Sequence, residues 1–179
     1  VSLMFEVMAG RHPVDSDHDM EFHQGLFGSR EAGIRGLRLG VLSVDEREGT
    51  DPAVLDLYDN SIEILRSLGA EISVFQMPTR FEDMKCATGT IIFSEGYYHH
   101  GSMYEDEDAP VDPYVRPRIL SGRQFSARDY VAALIQRRDD QIEFLAKMHG
   151  LIALLTPTIG NPAVPLSEVD QNSTPAHFT

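Results

Sequence analysis

Basic residues are scarce in this sequence, and so are groups that could cross-link it. Fifteen Lys and Arg face 28 Asp and Glu, leaving a formal charge of −13. A duplex-binding protein needs clustered cations to displace phosphate counterions. No such cluster occurs, so direct nucleic-acid binding by this chain is excluded. An anionic membrane surface is a poor partner for the same reason. The single cysteine, Cys86, forbids an intrachain disulfide and fits a reducing, cytoplasmic setting. Long apolar runs are absent as well. The stretch Val1–Met8 carries Glu6 and lacks a basic flank, and it is far short of the roughly 20 apolar residues of a membrane span. There is no Gly-x-Ser-x-Gly elbow, no Walker loop and no cysteine pair. Gly36 and Gly40 come nearest to a phosphate loop, but they flank a strand start instead of opening a helix. Lysines number two, Lys85 and Lys147.

What remains is ordinary globular composition. With 179 residues, 42% of them hydrophobic, the chain can bury a core and reads as one α/β domain over 1–179. Residues 1–9 read as the last turns of a helix stopped by Gly10. The first residue is Val1, not Met, and the sequence opens as an excised piece of a longer chain would. A polar connection over 11–36 leads to an apolar strand at 37–44. Asp51-Pro52 then sets up a helix start, with the acid as N-cap and the proline where a missing N–H costs nothing. Val54, Tyr58, Ile62, Leu65 and Leu68 recur at helical spacing until Gly69, and 71–77 alternates as a second strand ended by Pro78. One helix between two strands predicts a parallel βαβ unit at 37–77. Further helices are predicted over 80–104, over 113–120 ended by Gly122, and from Ser126 to Gly150. Ser126 and Asp129 have the spacing of a capping box. Leu151–Leu155 reads as a short apolar strand running into Thr156-Pro157-Thr158, followed by loop.

Two groupings of histidine and acid stand out. His12, Asp15, Asp17, His18, Asp19 and His23 crowd one polar stretch. Lying on no predicted helix and lacking an ordered scaffold, they read as a solvated loop and not as a metal centre. Glu95 and His99 lie four apart on a predicted helix, so one side of it could present a carboxylate and an imidazole. They suit a surface pair or a wall of a substrate pocket. Cys86 reads as a small buried hydrophobe, and the acidic run at 105–108 as a solvated loop. No cofactor and no metal is expected.

Several segments carry a resemblance through their shared order and spacing. They are Met4-Phe5-Glu6-Val7-Met8-Ala9-Gly10, Gly36-Leu37-Arg38-Leu39-Gly40-Val41 and Leu68-Gly69-Ala70-Glu71-Ile72. Ser94-Glu95-Gly96-Tyr97-Tyr98-His99-His100, Ser126-Ala127-Arg128-Asp129-Tyr130 and Leu154-Leu155-Thr156-Pro157-Thr158 continue the series. Together they resemble the amidase signature family over nearly the whole chain. The resemblance implies an incomplete amidase-signature fold, a mixed β-sheet covered by helices. It also implies cleavage of a small carboxamide C–N bond, in a stand-alone amidase or in the amide-cleaving subunit of a tRNA amidotransferase. Such enzymes use a Ser nucleophile, a bridging Ser and a Lys base within a Gly/Ser-rich region. There a desolvated neutral amine accepts the proton through the bridging hydroxyl.

No Gly-Ser-Ser stretch occurs in this chain, and neither lysine has a Gly/Ser-rich setting. The chain therefore resembles the segment downstream of the family's signature region, which implies a triad outside it and no catalytic residue within it. The expected partners are a small amide substrate and the remainder of the parent chain, and a homo-oligomeric parent is left open. A reading from another class is a free-standing, non-catalytic α/β binding or scaffold domain. In open α/β sheets, ligand groups gather at the carboxyl ends of strands. The strand at 151–155 would deliver Thr156, Pro157 and Thr158 to such an edge, and the second helix offers Tyr98 and His99, or His100 in another register. These are the expected substrate contacts. The competing reading places the tyrosines in the core and the histidines on the surface.

Overall fold

The computed structural model describes residues 2–8, 28, 30–165 and 167. Its elements in chain order are helix α1 (Ser2–Met8), strand β1 (Arg38–Leu42), helix α2 (Pro52–Ser67) and strand β2 (Glu71–Phe75). Helix α3 (Phe81–Glu105), the short helix α4 (Arg116–Leu120), helix α5 (Ala127–Lys147) and strand β3 (Ala153–Leu155) follow. The polar stretch from His12 to His23 lies outside the described residues. Among the described residues, no group of His, Cys, Asp and Glu is placed to hold a metal ion.

The three strands form one sheet in the order β2-β1-β3. Leu39 pairs with Ile72 and Ala153, and Val41 with Val74 and Leu155, all parallel. The βαβ unit read from the sequence is present. Among the described strands the sheet is purely parallel, without an antiparallel member.

Strand alternation sorts the side chains between two faces. On one, Val41 packs with Tyr58 and Ile62 of α2, against Ile72 and Leu155. On the other, Phe75 meets Phe144 of α5 edge-on, with ring centroids 5.5 Å apart. Helices thus cover both faces, the arrangement that parallel strands require. The central strand is buried from Leu39 to Leu42, whereas the edge strand β2 leaves Val74 63% exposed.

Local chemistry sets the boundaries of the helices. The Asp51 carboxylate accepts from the Ala53 N–H at 2.8 Å, and Pro52 opens α2. Gly69, at φ +97°, ends it in a conformation that costs glycine nothing. Gly150, at φ +87°, releases the chain from α5 toward β3. The strand is shorter than the apolar run 151–155. The Leu151 N–H still bonds the Met148 carbonyl at 2.8 Å in the helix exit, so pairing takes hold only beyond it. Gly122 does not stop a longer helix; it lies within a 3-10 turn, Ser121–Gln124. A Cβ there would sit 1.9 Å from the Phe93 carbonyl oxygen, so only glycine lets this turn cross α3 so closely. Arg116 holds the end of α3 by donating to the carbonyls of Tyr104, Asp106 and Ala109 at 2.6, 2.8 and 3.1 Å. Cys86 is exposed on α3, which corrects the buried reading. No helix among the described residues is long and apolar enough to cross a membrane.

Candidate functional site

The chain leaves β1 toward α2 on one face of the sheet and β2 toward α3 on the other. This divergence opens a crevice at the carboxyl ends of neighbouring strands, the usual ligand position in open α/β sheets. Met77, Pro78 and Thr79 follow β2 to that edge, and Thr156, Pro157 and Thr158 follow β3. Three clefts open there. One of ≈ 420 Å³ is lined by Met77, Phe81, Met84, Phe144 and Thr156, among others. A second, ≈ 320 Å³, has Tyr58, Leu155, Thr156, Pro157 and Thr158 in its wall. A third, ≈ 220 Å³, includes Leu42, Glu46, Phe81, Thr156 and Pro157. Thr156 borders all three.

Side chains fasten this edge where the strand ladder ends. The buried Tyr58 hydroxyl accepts from the Leu42 N–H at 3.0 Å and donates to the Leu155 carbonyl at 2.8 Å, joining the ends of β1 and β3. Arg47 lies over the Tyr58 ring, 5.0 Å from its centroid. Its Nε donates to the Leu42 carbonyl at 3.1 Å and its Nη1 to Asp59 at 2.8 Å. On the other side of the crevice the Thr79 hydroxyl donates to Asp140 Oδ1 at 2.6 Å, tying the β2–α3 connection to α5. The Ser43 hydroxyl, just past β1, is buried without a partner among the described residues.

Tyr98, His99 and His100 occupy the second half of α3, and all three are exposed. Their rings form a row, with centroids 4.9 Å apart for Tyr98–His99 and 6.2 Å for His99–His100. Tyr98 also borders a cleft of ≈ 520 Å³ between α3 and the start of α5, with Ser94, Tyr97, Arg123, Phe125 and Tyr130. Glu95 is engaged there: the Tyr130 hydroxyl donates to it at 2.9 Å, while Tyr97 donates to Glu105 at 2.6 Å. These hydrogen bonds to carboxylates hold both phenols above their ordinary value of 10.0. Ser126 and Asp129 form the capping box, and hydrogen bonds from the Ser126 side chain and backbone hold the Asp129 carboxyl below 3.8.

The six expected contacts thus fall into two groups. Thr156, Pro157 and Thr158 meet at the sheet edge, and Tyr98, His99 and His100 gather along α3. The sheet-edge clefts and the tyrosine cleft share no described lining residue. Arg47 and the Tyr58 hydroxyl carry no functional signature in the sequence. A tyrosine on an otherwise aliphatic helix face is the available signal, because a buried phenol needs a partner. Its partners lie 16 and 97 residues away, beyond any local pattern.

Comparison with known proteins gives this architecture its relatives. A glutamyl-tRNA(Gln) amidotransferase subunit of Acidobacterium capsulatum is 27% identical over 185 residues, covering 90% of this chain and 39% of that protein. An amidase of Pseudomonas putida is 27% identical over 162 residues, covering 90% of this chain and 34% of its own length. Among solved structures, one describes a vestigial protein complex that reveals the evolutionary origins of an s-triazine catabolic enzyme. It superposes with a TM-score of 0.75 at 27% identity, over 96% of this chain and 37% of that one. A crystal structure of an amidase gives 0.66 at 26% identity, over 75% of this chain and 30% of that one. The chain therefore spans less than half the length of these relatives. The Amidase family model matches residues 1–178, and with nearly every residue accounted for, the chain belongs to the amidase family.

Proposed function

We propose that this chain is part of an amidase-type hydrolase that cleaves a small carboxamide C–N bond. The family match across residues 1–178 carries the reading. In it, a Ser-Ser-Lys triad is contributed by residues outside this chain, which forms one α/β portion of a longer, cytoplasmic enzyme. The lysines present do not suit the role of a desolvated base: Lys85 is exposed, and Lys147 faces Glu143 at 3.5 Å. Exposed apolar side chains support the same view: Val131, Ile135, Ile142 and Leu145 of α5 and Leu57 and Ile64 of α2 are each at least half exposed, surface of the kind that further protein covers.

Substrate contacts in this reading come from Thr156, Pro157 and Thr158 at the crevice edge, and from Tyr98, His99 and His100 on α3. The first group is supported by its place at the carboxyl ends of parallel strands. In the second, Tyr98 borders a cleft and His99 and His100 continue its row of exposed rings.

The test compares the full polypeptide that carries this chain with the 179-residue chain alone, on a panel of simple aryl and alkyl amides. Turnover is expected only from the full polypeptide, and His99→Ala or Tyr98→Phe should change kcat/KM among amides without moving Tm. Hydrolysis by the short chain that disappears on replacing Lys85 or Lys147 would refute the placement of the triad. Kinetics unchanged in both α3 variants would remove those residues from the pocket.

A further inference from the structure

The ≈ 420 Å³ cleft between the first turns of α3 and the second half of α5 has a make-up that points to a ligand class. Met77, Phe81, Met84, Phe144 and Leu154 form its apolar walls. Flat rings and unbranched thioethers accommodate an aromatic or branched aliphatic body. The frame is held in place: Phe144 sits edge-on to Phe75 at 5.5 Å, and Thr79 is bonded to Asp140 at 2.6 Å.

The polar groups of this cleft are not equivalent. Asp140 uses one carboxylate oxygen for Thr79 and for the Gln136 amide, the latter at 2.9 Å. Arg137 also lines the cleft, and it makes no ion pair among the described residues although the chain carries a net charge of −13. A guanidinium beside apolar walls presents a fork that matches a carboxylate. The negative field of the molecule repels a bare anion, so occupancy must also draw on apolar contact.

We infer that this cleft binds a small apolar carboxylate, an arylalkyl or branched-alkyl acid group, with its body among Phe81, Met84 and Phe144 and its carboxylate on Arg137. Only the identification of that group as part of an amide substrate rests on the hydrolase reading above; the binding does not.

The test is calorimetric titration of the full polypeptide with 3-phenylpropanoate and with its neutral counterpart 3-phenylpropan-1-ol, beside an amide-hydrolysis assay on the same samples. The acid should bind, and Arg137→Gln should weaken it about tenfold, the loss of one charge-assisted hydrogen bond, while leaving the alcohol unaffected. Ala87→Trp should fill the cleft and abolish both; Thr88→Trp replaces it if the first variant has a lowered Tm. A folded wild type that does not bind the acid, or an Arg137→Gln variant with unchanged affinity for it, overturns the inference. Binding without hydrolysis sustains the cleft and sinks the hydrolase reading, whereas hydrolysis without binding does the reverse.

Discussion

Tyr58 sits at the point where packing and hydrogen bonding meet. Its ring is buried with Val41 and Ile62, and its hydroxyl serves one strand as acceptor and another as donor. Removing the oxygen leaves the Leu42 N–H and the Leu155 carbonyl without partners in a buried setting, and orphaned groups lose more than the bond itself is worth. Tyr58→Phe should therefore destabilise the protein by about 1–3 kcal/mol, read from equilibrium denaturation of the full polypeptide. Because β1 and β3 end at the crevice, the same variant should loosen Thr156 to Thr158, visible as faster amide exchange at Thr156 and Thr158. A loss below a few tenths of a kcal/mol would mean that water replaces the hydroxyl there.

Among the described glycines, Gly122 makes the closest approach to another element, where the 3-10 turn meets α3. Gly122→Ala places a methyl group 1.9 Å from a backbone oxygen, and neither partner is a flexible side-chain tip that can swing away. The expected cost matches or exceeds that of overpacking a core, about 1–3 kcal/mol, with the α3–α4 region opening first. Retention of wild-type stability would show that the turn can lift off the helix.

The start of α5 responds to pH. Asp129 is stabilised as a carboxylate by Ser126, so its folded pKa lies below that of the unfolded chain. The contribution is present above the ordinary value of 3.8 and is lost as pH falls through the lower folded value. Ser126→Ala should return the Asp129 titration toward 3.8, followed by carboxyl-carbon NMR, and should weaken the first turn of α5. An unmoved titration would show that the capping box does not persist in solution.

At the scale of the whole molecule, apolar surface outruns its cover. Val131, Ile135, Ile142 and Leu145 of α5 are each at least half exposed, as are Leu57 and Ile64 of α2 and Val74 on the edge strand. Patches of this extent mark contact surfaces or association hazards, and an uncovered strand edge adds unpaired backbone groups. The 179-residue chain prepared alone should bind a hydrophobic dye and self-associate, as followed by fluorescence and light scattering. A dye-silent monomer would show that these faces need no partner.

Much of the fold is written in short-range chemistry. Asp51-Pro52 and Gly69 bracket α2, Ser126 and Asp129 open α5, and the apolar runs around Leu39 and Ile72 become paired parallel strands. Each of these signals acts over a few residues, through a cap, a φ angle or a repeat of side-chain direction, and so it can be read along the chain. The family resemblance was legible too, because ordered segments persist where no single motif is decisive. Tertiary structure decided the rest. Periodicity shows that a face is apolar but not which face it meets, so the insertion of β1 between β2 and β3 appeared only on folding. So did the exposure of Cys86, the closeness of Gly122 to Phe93 and the bridging hydroxyl of Tyr58. The expected contacts divided between the sheet edge and α3 for the same reason: a cleft is made by surfaces distant in sequence, whose meeting no local spacing encodes.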